Sequence, residues 1–240
     1  MAEVCVCSDY FVVDDEGSLC LIPGVLGLRE TLYFKTPGNF QFTKASYPWL
    51  TRVKVKVQAA GGGSGGADSN PDQSIPRPGA SGGGYSESLI EAGALAAVTN
   101  IVVGEGGEGG IGNTDGENGG GSSFGGTVTA VGGFGGSANT LSGDTNVTAN
   151  AIQGAGSGGG DFAIGGGASI GAIRISASQG LSGKGGDSQL GHGGYGRSTT
   201  GPGGTPRGYG AGAGGAFSFD GSAQPGGKGG NGIVIIELYG

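Results

Sequence analysis

Charged and β-branched residues alternate along Arg52-Val53-Lys54-Val55-Lys56-Val57-Gln58. A period of two belongs to a half-buried strand, so Val53, Val55 and Val57 are expected to face a core while Arg52, Lys54 and Lys56 form a solvated outer face. Further strands are expected at 31–34, 40–42, 86–90, 98–103, 127–131, 171–176 and 233–239. Near the start, Tyr10-Phe11-Val12-Val13 and Ser18-Leu19-Cys20-Leu21-Ile22 flank Asp14-Asp15-Glu16-Gly17, which reads as a hairpin closed by Pro23-Gly24. Its acidic residues lack the spacing of a calcium loop and read as a solvated turn. No stretch has convincing helical periodicity, since glycine interrupts every window long enough to hold one; residues 92–98 are a weak exception.

From residue 61 onward the period changes. Glycine recurs on a three-residue beat, as in Gly106-Gly107-Glu108-Gly109-Gly110-Ile111, Gly132-Gly133-Phe134-Gly135-Gly136 and Gly226-Gly227-Lys228-Gly229-Gly230-Asn231. A period of three fits a left-handed extended helix, whose side-chain-free positions line up on one edge and let neighbours pack backbone to backbone. All but four of the 63 glycines lie in this region, and each costs about 0.5–1 kcal/mol more to fix than alanine. Inter-ribbon hydrogen bonds, a β core and burial against neighbouring subunits are the candidates to offset that sum. The expected fold is all-β: a β-sandwich-like core with glycine-rich loops forming polyglycine-II-like ribbons, in an assembly rather than a free monomer.

Composition removes several function classes. The 240 residues carry 12 Lys plus Arg against 19 Asp plus Glu, a net charge of −7, so no basic footprint for nucleic acid or an anionic membrane is expected. The N-terminus lacks the basic and apolar regions of a signal peptide, and no segment reaches the apolar length of a membrane span. Three cysteines, Cys5, Cys7 and Cys20, are too few for a disulfide framework; they read as buried free thiols and fit a reducing compartment during folding.

Two catalytic patterns fail on physical grounds. Gly104-Glu105-Gly106-Gly107-Glu108-Gly109 matches a dinucleotide-binding fingerprint, but no helix can follow it to receive a pyrophosphate, and its two glutamates would repel one. A Ser–His–acid or Cys–His set would have to use His192, the single histidine, which glycines leave without an orienting partner. No spacing selects a carboxylate pair among the acidic residues. No enzyme activity, cofactor or metal is expected.

The segment Phe34-Lys35-Thr36-Pro37-Gly38-Asn39-Phe40-Gln41-Phe42, then Trp49, the valine strand and Gln58-Ala59-Ala60-Gly61-Gly62-Gly63, resembles the opening of the glycine-rich domain of bacteriophage minor tail proteins and tail fibres. Gly84-Tyr85-Ser86-Glu87, Ile101-Val102-Val103-Gly104, Gly121-Ser122-Ser123-Phe124-Gly125 and Gly230-Asn231-Gly232-Ile233-Val234-Ile235 follow in that family's order. A looser similarity is to polyglycine-II tail-fibre adhesins, from which the stronger valine scaffold departs.

The resemblance implies a structural, non-enzymatic virion protein, synthesised in the host cytoplasm and placed at a tail tip or fibre. A capsid decoration or purely architectural virion protein is the alternative. Residues 1–30 would attach it to other tail proteins, and residues 31–240 would form the glycine-rich β domain, with a homotrimer favoured. No nucleic-acid partner or membrane insertion is implied. A bacterial surface glycan would meet the aromatic and cationic side chains set among the late glycines: His192, Tyr195, Arg197, Arg207, Tyr209, Phe217 and Phe219. Aromatic faces stack on sugars and guanidinium groups reach anions; the competing reading is that these side chains fill gaps between ribbons or subunits.

Overall fold

The computed structural model describes residues 11–13, 16–21 and 27–240. Two antiparallel sheets form a sandwich. The five-stranded sheet has the order Phe162–Ile164, Tyr85–Glu91, Arg52–Gln58, Ile233–Tyr239, Leu28–Phe34, and the four-stranded sheet the order Val128–Ala130, Ser122–Phe124, Val98–Val103, Gly38–Thr43. Val53, Val55 and Val57 are fully buried with Val234, Ile236 and Leu238 against Phe42, Ile101, Val103 and Phe124 of the other sheet. The strand 233–239 lies between Arg52–Gln58 and Leu28–Phe34, which explains its nearly continuous apolar run. Leu28–Phe34 crosses the boundary expected between residues 30 and 31.

The outer cations are not simply solvated. Lys54 pairs with Glu87 at 3.6 Å and Lys56 with Glu237 at 2.5 Å; both are diagonal cross-strand pairs, since the antiparallel register sets Lys56 directly opposite Glu87 and Lys54 directly opposite Glu237. Among the described residues the expected hairpin is present, pairing Phe11–Val13 with Leu19–Leu21. The weak helical signal at 92–98 gives only one 3-10 turn, Ala92–Ala94. The thiol reading lies outside the described residues for Cys5 and Cys7 and for the Cys20 side chain.

Beyond the sandwich its strands run on as extended ribbons, and the hydrogen bonds of ribbon 59–66 show how these pack. Ala60, Gly63 and Gly66 donate to the carbonyls of Gly120, Glu117 and Thr114; Gly61 and Ser64 donate to Gly230 and Gly227; Ala59 and Gly62 donate to Gly84 and Ser81, all at 2.9–3.0 Å. Successive amides thus point to three different neighbours and return to the same one every third residue, the symmetry of polyglycine II. The carbonyls of the ribbon accept from Gly107 and Gly110, from Gly133 and Gly136, and from Ala213. It therefore has six neighbouring ribbons.

Two more ribbons are enclosed in this way. Ribbon 77–84 bonds to 59–66, 131–137, 151–157, 164–170, 182–188 and 210–216, and ribbon 210–216 bonds to 59–66, 77–84, 182–188, 193–196, 202–204 and 225–232. The three inner ribbons touch one another, and the nine around them, with 104–110 and 114–121 completing the set, are the number a hexagonal lattice places around a triangle. The hydrogen bonds that offset the ordering of so much glycine lie within one chain.

This packing explains the sequence pattern. Outer ribbons show one of their three edges to solvent, and five of them carry Gly-Gly-X triplets, with Glu108, Phe134, Lys184, Asp187, Tyr195 and Lys228 at X. Inner ribbons show none, and 59–66 reads Ala-Ala-Gly-Gly-Gly-Ser-Gly-Gly. A β-carbon added at Gly61, Gly62 or Gly63 would stand 2.1 Å from a carbonyl oxygen of a neighbouring ribbon. At the junction with the sandwich, Gln58 donates through Nε2 to the carbonyls of Ala59, Gly83 and Gly84. Gly210, at φ +76°, passes so close to that amide that a β-carbon would be 2.4 Å from it.

Ribbon direction gives the lattice two ends. Strands 52–58, 98–103 and 128–130 lead outward into 59–66, 104–110 and 131–137, while 77–84, 114–121 and 225–232 return into strands 85–91, 122–124 and 233–239. An eight-residue ribbon at about 3.1 Å per residue spans about 25 Å. Loops 67–76, 111–113, 138–150, 171–181, 198–201 and 217–224 therefore gather at a distal end, away from the sandwich.

Candidate functional site

The seven residues expected to meet a ligand do not form one surface. His192 and Arg207 lie opposite each other in the short pair Gly191–His192 and Arg207–Gly208, which joins ribbons at the sandwich-side end of the lattice. Both are exposed, the His192 side chain at 86%. The His192 Nδ1 lies 3.9 Å from Asp187 Oδ1. Hydrogen bonds from Lys184 and the Gly193 amide hold the Asp187 carboxyl below the usual range. Tyr209 is half-buried beside this pair.

Tyr195 and Arg197 face a different edge. The guanidinium sits 5.0 Å from the Tyr195 ring centre and donates from Nη2 to its hydroxyl at 2.8 Å, while Nε donates to the Pro202 carbonyl. Tyr195 is 56% exposed, and Arg197 serves to hold it. Phe217 is 1% exposed, in the distal pair Ser74–Pro76 with Phe217–Phe219, so the gap-filling reading describes it and a ligand cannot reach it. Phe219 is half-buried in the same pair.

At the distal end the structure reveals two arginines that the sequence reading passed over. Arg77 is 0% exposed and donates from Nε to the Gly66 carbonyl at 2.6 Å, from Nη1 to the Thr140 carbonyl at 2.7 Å and from Nη2 to Asn113 Oδ1 at 2.6 Å. Arg174, 5% exposed, donates to the carbonyls of Thr145, Ser74 and Leu141 at 2.6, 2.7 and 2.7 Å. Burial lowers the Arg77 pKa to about 10 against the pull of Asp115, and lowers that of Arg174 against Asp144. Both remain charged at neutral pH and hydrogen-bond to carbonyls and an amide rather than carboxylates. They tie together the ends of ribbons and pin loop 138–146, which Ser142 and Gly143 also join to Asn70 and Ser74. The signal was the isolation of each arginine: Arg77 between two prolines, Arg174 between two isoleucines.

A family model described as a glycine-rich domain matches residues 36–239. The match takes in the sandwich from its second large strand and the whole lattice. The chain belongs to the glycine-rich domain family. No curated protein matches it. For a glycine-rich domain the match is informative in its extent, because the glycine tracts and the valine strands fall inside one unit, as the continuous passage from strand to ribbon requires.

The dinucleotide-like fingerprint at 104–109 is part of an outer ribbon that runs into a turn and back as 114–121, so its glycines serve backbone packing. Glu105 and Glu108 of that ribbon both pair with Lys228 of the adjacent one; these hydrogen bonds, that to Glu105 foremost, hold the ammonium pKa above its usual value. Side chains at X positions thus lock neighbouring ribbons in register.

Proposed function

We propose that this glycine-rich domain is a structural, non-enzymatic virion protein: a minor tail protein at the tail tip or fibre of a bacteriophage, made in the host cytoplasm and built into the tail. The order of its sequence motifs supports the phage placement. The observation that carries the presenting role is the lattice, which holds loop turns at one end, about 25 Å beyond the sandwich. Rigid extended backbone removes the ordering entropy that flexible loops would lose on contact.

In this reading residues 1–30 and the sandwich face other tail proteins, and the distal loops face a bacterial surface glycan. A homotrimer on the tail axis would be built through outer surfaces of the chain, since the three inner ribbons have all six neighbours within one chain. Gold-labelled antibodies against the purified chain, applied to particles that encode it, are expected to mark the distal tail. Gold on the head would overturn the placement in favour of capsid decoration.

A further inference from the structure

An open groove of about 420 Å³ runs along the distal loop 138–146, between Leu141 and strand Val147–Ala149. That is the volume of a small-ligand site. We infer that this groove binds a neutral saccharide. The inference rests on the presenting role proposed above for the distal end, and it moves the contact surface away from His192 and Tyr195.

Three observations carry it. The groove combines uncharged polar side chains, Ser137, Asn139, Thr148 and Asn150, with the aliphatic surface of Leu141 and Val147. Asn139, Thr148 and Asn150 are exposed, and no hydrogen bond within the described chain engages their amides or hydroxyl. A side-chain amide offers a donor and an acceptor side by side, which suits vicinal hydroxyls, and an aliphatic patch suits the C–H face of a sugar ring.

Charge then narrows the ligand. No carboxylate lines the groove, and the one cation there, Arg174, is buried and already donates to three carbonyls. An anionic ligand would find no free partner, and a cationic one no counter-charge.

The third observation is the cost of holding the loop still. Two buried guanidiniums converge on carbonyls of one surface loop, those of Thr140, Leu141 and Thr145. Buried charges without ionic partners are a poor source of stability, whereas fixing a loop before contact raises affinity. Leu141 stands on that fixed loop at 80% exposure, where a partner can cover it.

The purified full-length chain should be tested against a panel of neutral oligosaccharides built from hexoses and N-acetylhexosamines, by glycan array and saturation-transfer NMR. At least one is expected to bind. Asn139→Ala and Asn150→Ala should each weaken it about tenfold without moving the denaturant midpoint, and Tyr195→Ala should leave it unchanged. Binding that is indifferent to both asparagines, binding lost only in Tyr195→Ala, or no binding across the panel overturns the inference. Distal-tail gold with no saccharide binding removes the groove and keeps the virion placement; saccharide binding with gold on the head does the reverse.

Discussion

Replacing Gly61 by alanine tests the lattice at its most enclosed point. The new β-carbon would stand 2.1 Å from the Ala211 carbonyl oxygen and 2.3 Å from its carbon, more than an ångström inside contact distance. Neither ribbon can yield alone, because each is bonded to six others. Overpacking of a dense core costs about 1–3 kcal/mol. Separating the ribbons also strains bonds such as Gly61 to Gly230 and Ala213 to Gly62, at about 1 kcal/mol each. Lower entropy of the unfolded chain returns about 0.4–1 kcal/mol. The net expectation is a loss of about 3 kcal/mol. Gly156 is the control: it is exposed, and a β-carbon there meets nothing within 4 Å, so Gly156→Ala should be neutral or stabilising by about 0.4–1 kcal/mol. Urea unfolding of both variants measures the difference, and equal midpoints would refute the enclosed-ribbon packing.

Three further outcomes follow from the same geometry. The amides of Gly62, Ala80 and Ala213, though outside any strand, should exchange with deuterium as slowly as that of Val55, and mass spectrometry showing loop-like exchange would contradict the lattice. Arg77→Met leaves the carbonyls of Gly66 and Thr140 without a donor, at about 1–3 kcal/mol per buried acceptor, while Asn113 Oδ1 keeps the Asp68 amide; Arg77→Lys should not restore the guanidinium midpoint, because an ammonium lacks the fork that spans three acceptors. Burial tends to raise the Glu237 carboxyl pKa, but hydrogen bonds from Lys56 and Tyr239 outweigh it and hold it below the ordinary value. The depressed folded pKa means stability that is present above the unfolded pKa and lost as pH falls through the folded one, so Glu237→Gln should shrink the fall in urea midpoint between neutral pH and about pH 3.

The sandwich was legible wherever one face of a strand is buried. The alternation at 52–58 set the register of Val53, Val55 and Val57, and the apolar run at 233–236 fits a strand paired on both sides. Short strands such as Val147–Ala149 and Phe162–Ile164 were missed because three residues cannot display a period. The beat of glycine gave the ribbon conformation, yet not the neighbours of each ribbon, which depend on turns whose direction is set by tertiary packing. One clue to position was nonetheless present: Gly-Gly-X triplets with a large third residue lie outside.

The candidate site was harder to read, for a related reason. Grouping the late aromatic and cationic residues treated nearness in sequence as nearness in space, but each ribbon carries its residues from one end of the lattice to the other. His192 and Arg207 come back to the sandwich side, Phe217 goes out to the far end and is buried there, and Tyr195 lies between. What brings residues together in such a lattice is the end at which their loops turn. Arg77 and Thr140, Arg174 and Leu141, or Asn70 and Ser142, are distant in sequence and meet because their ribbons run out in the same direction. The two buried arginines mark that end as the place where the chain invests in a fixed surface, and the groove beside Leu141, which no carboxylate lines, is an open part of it.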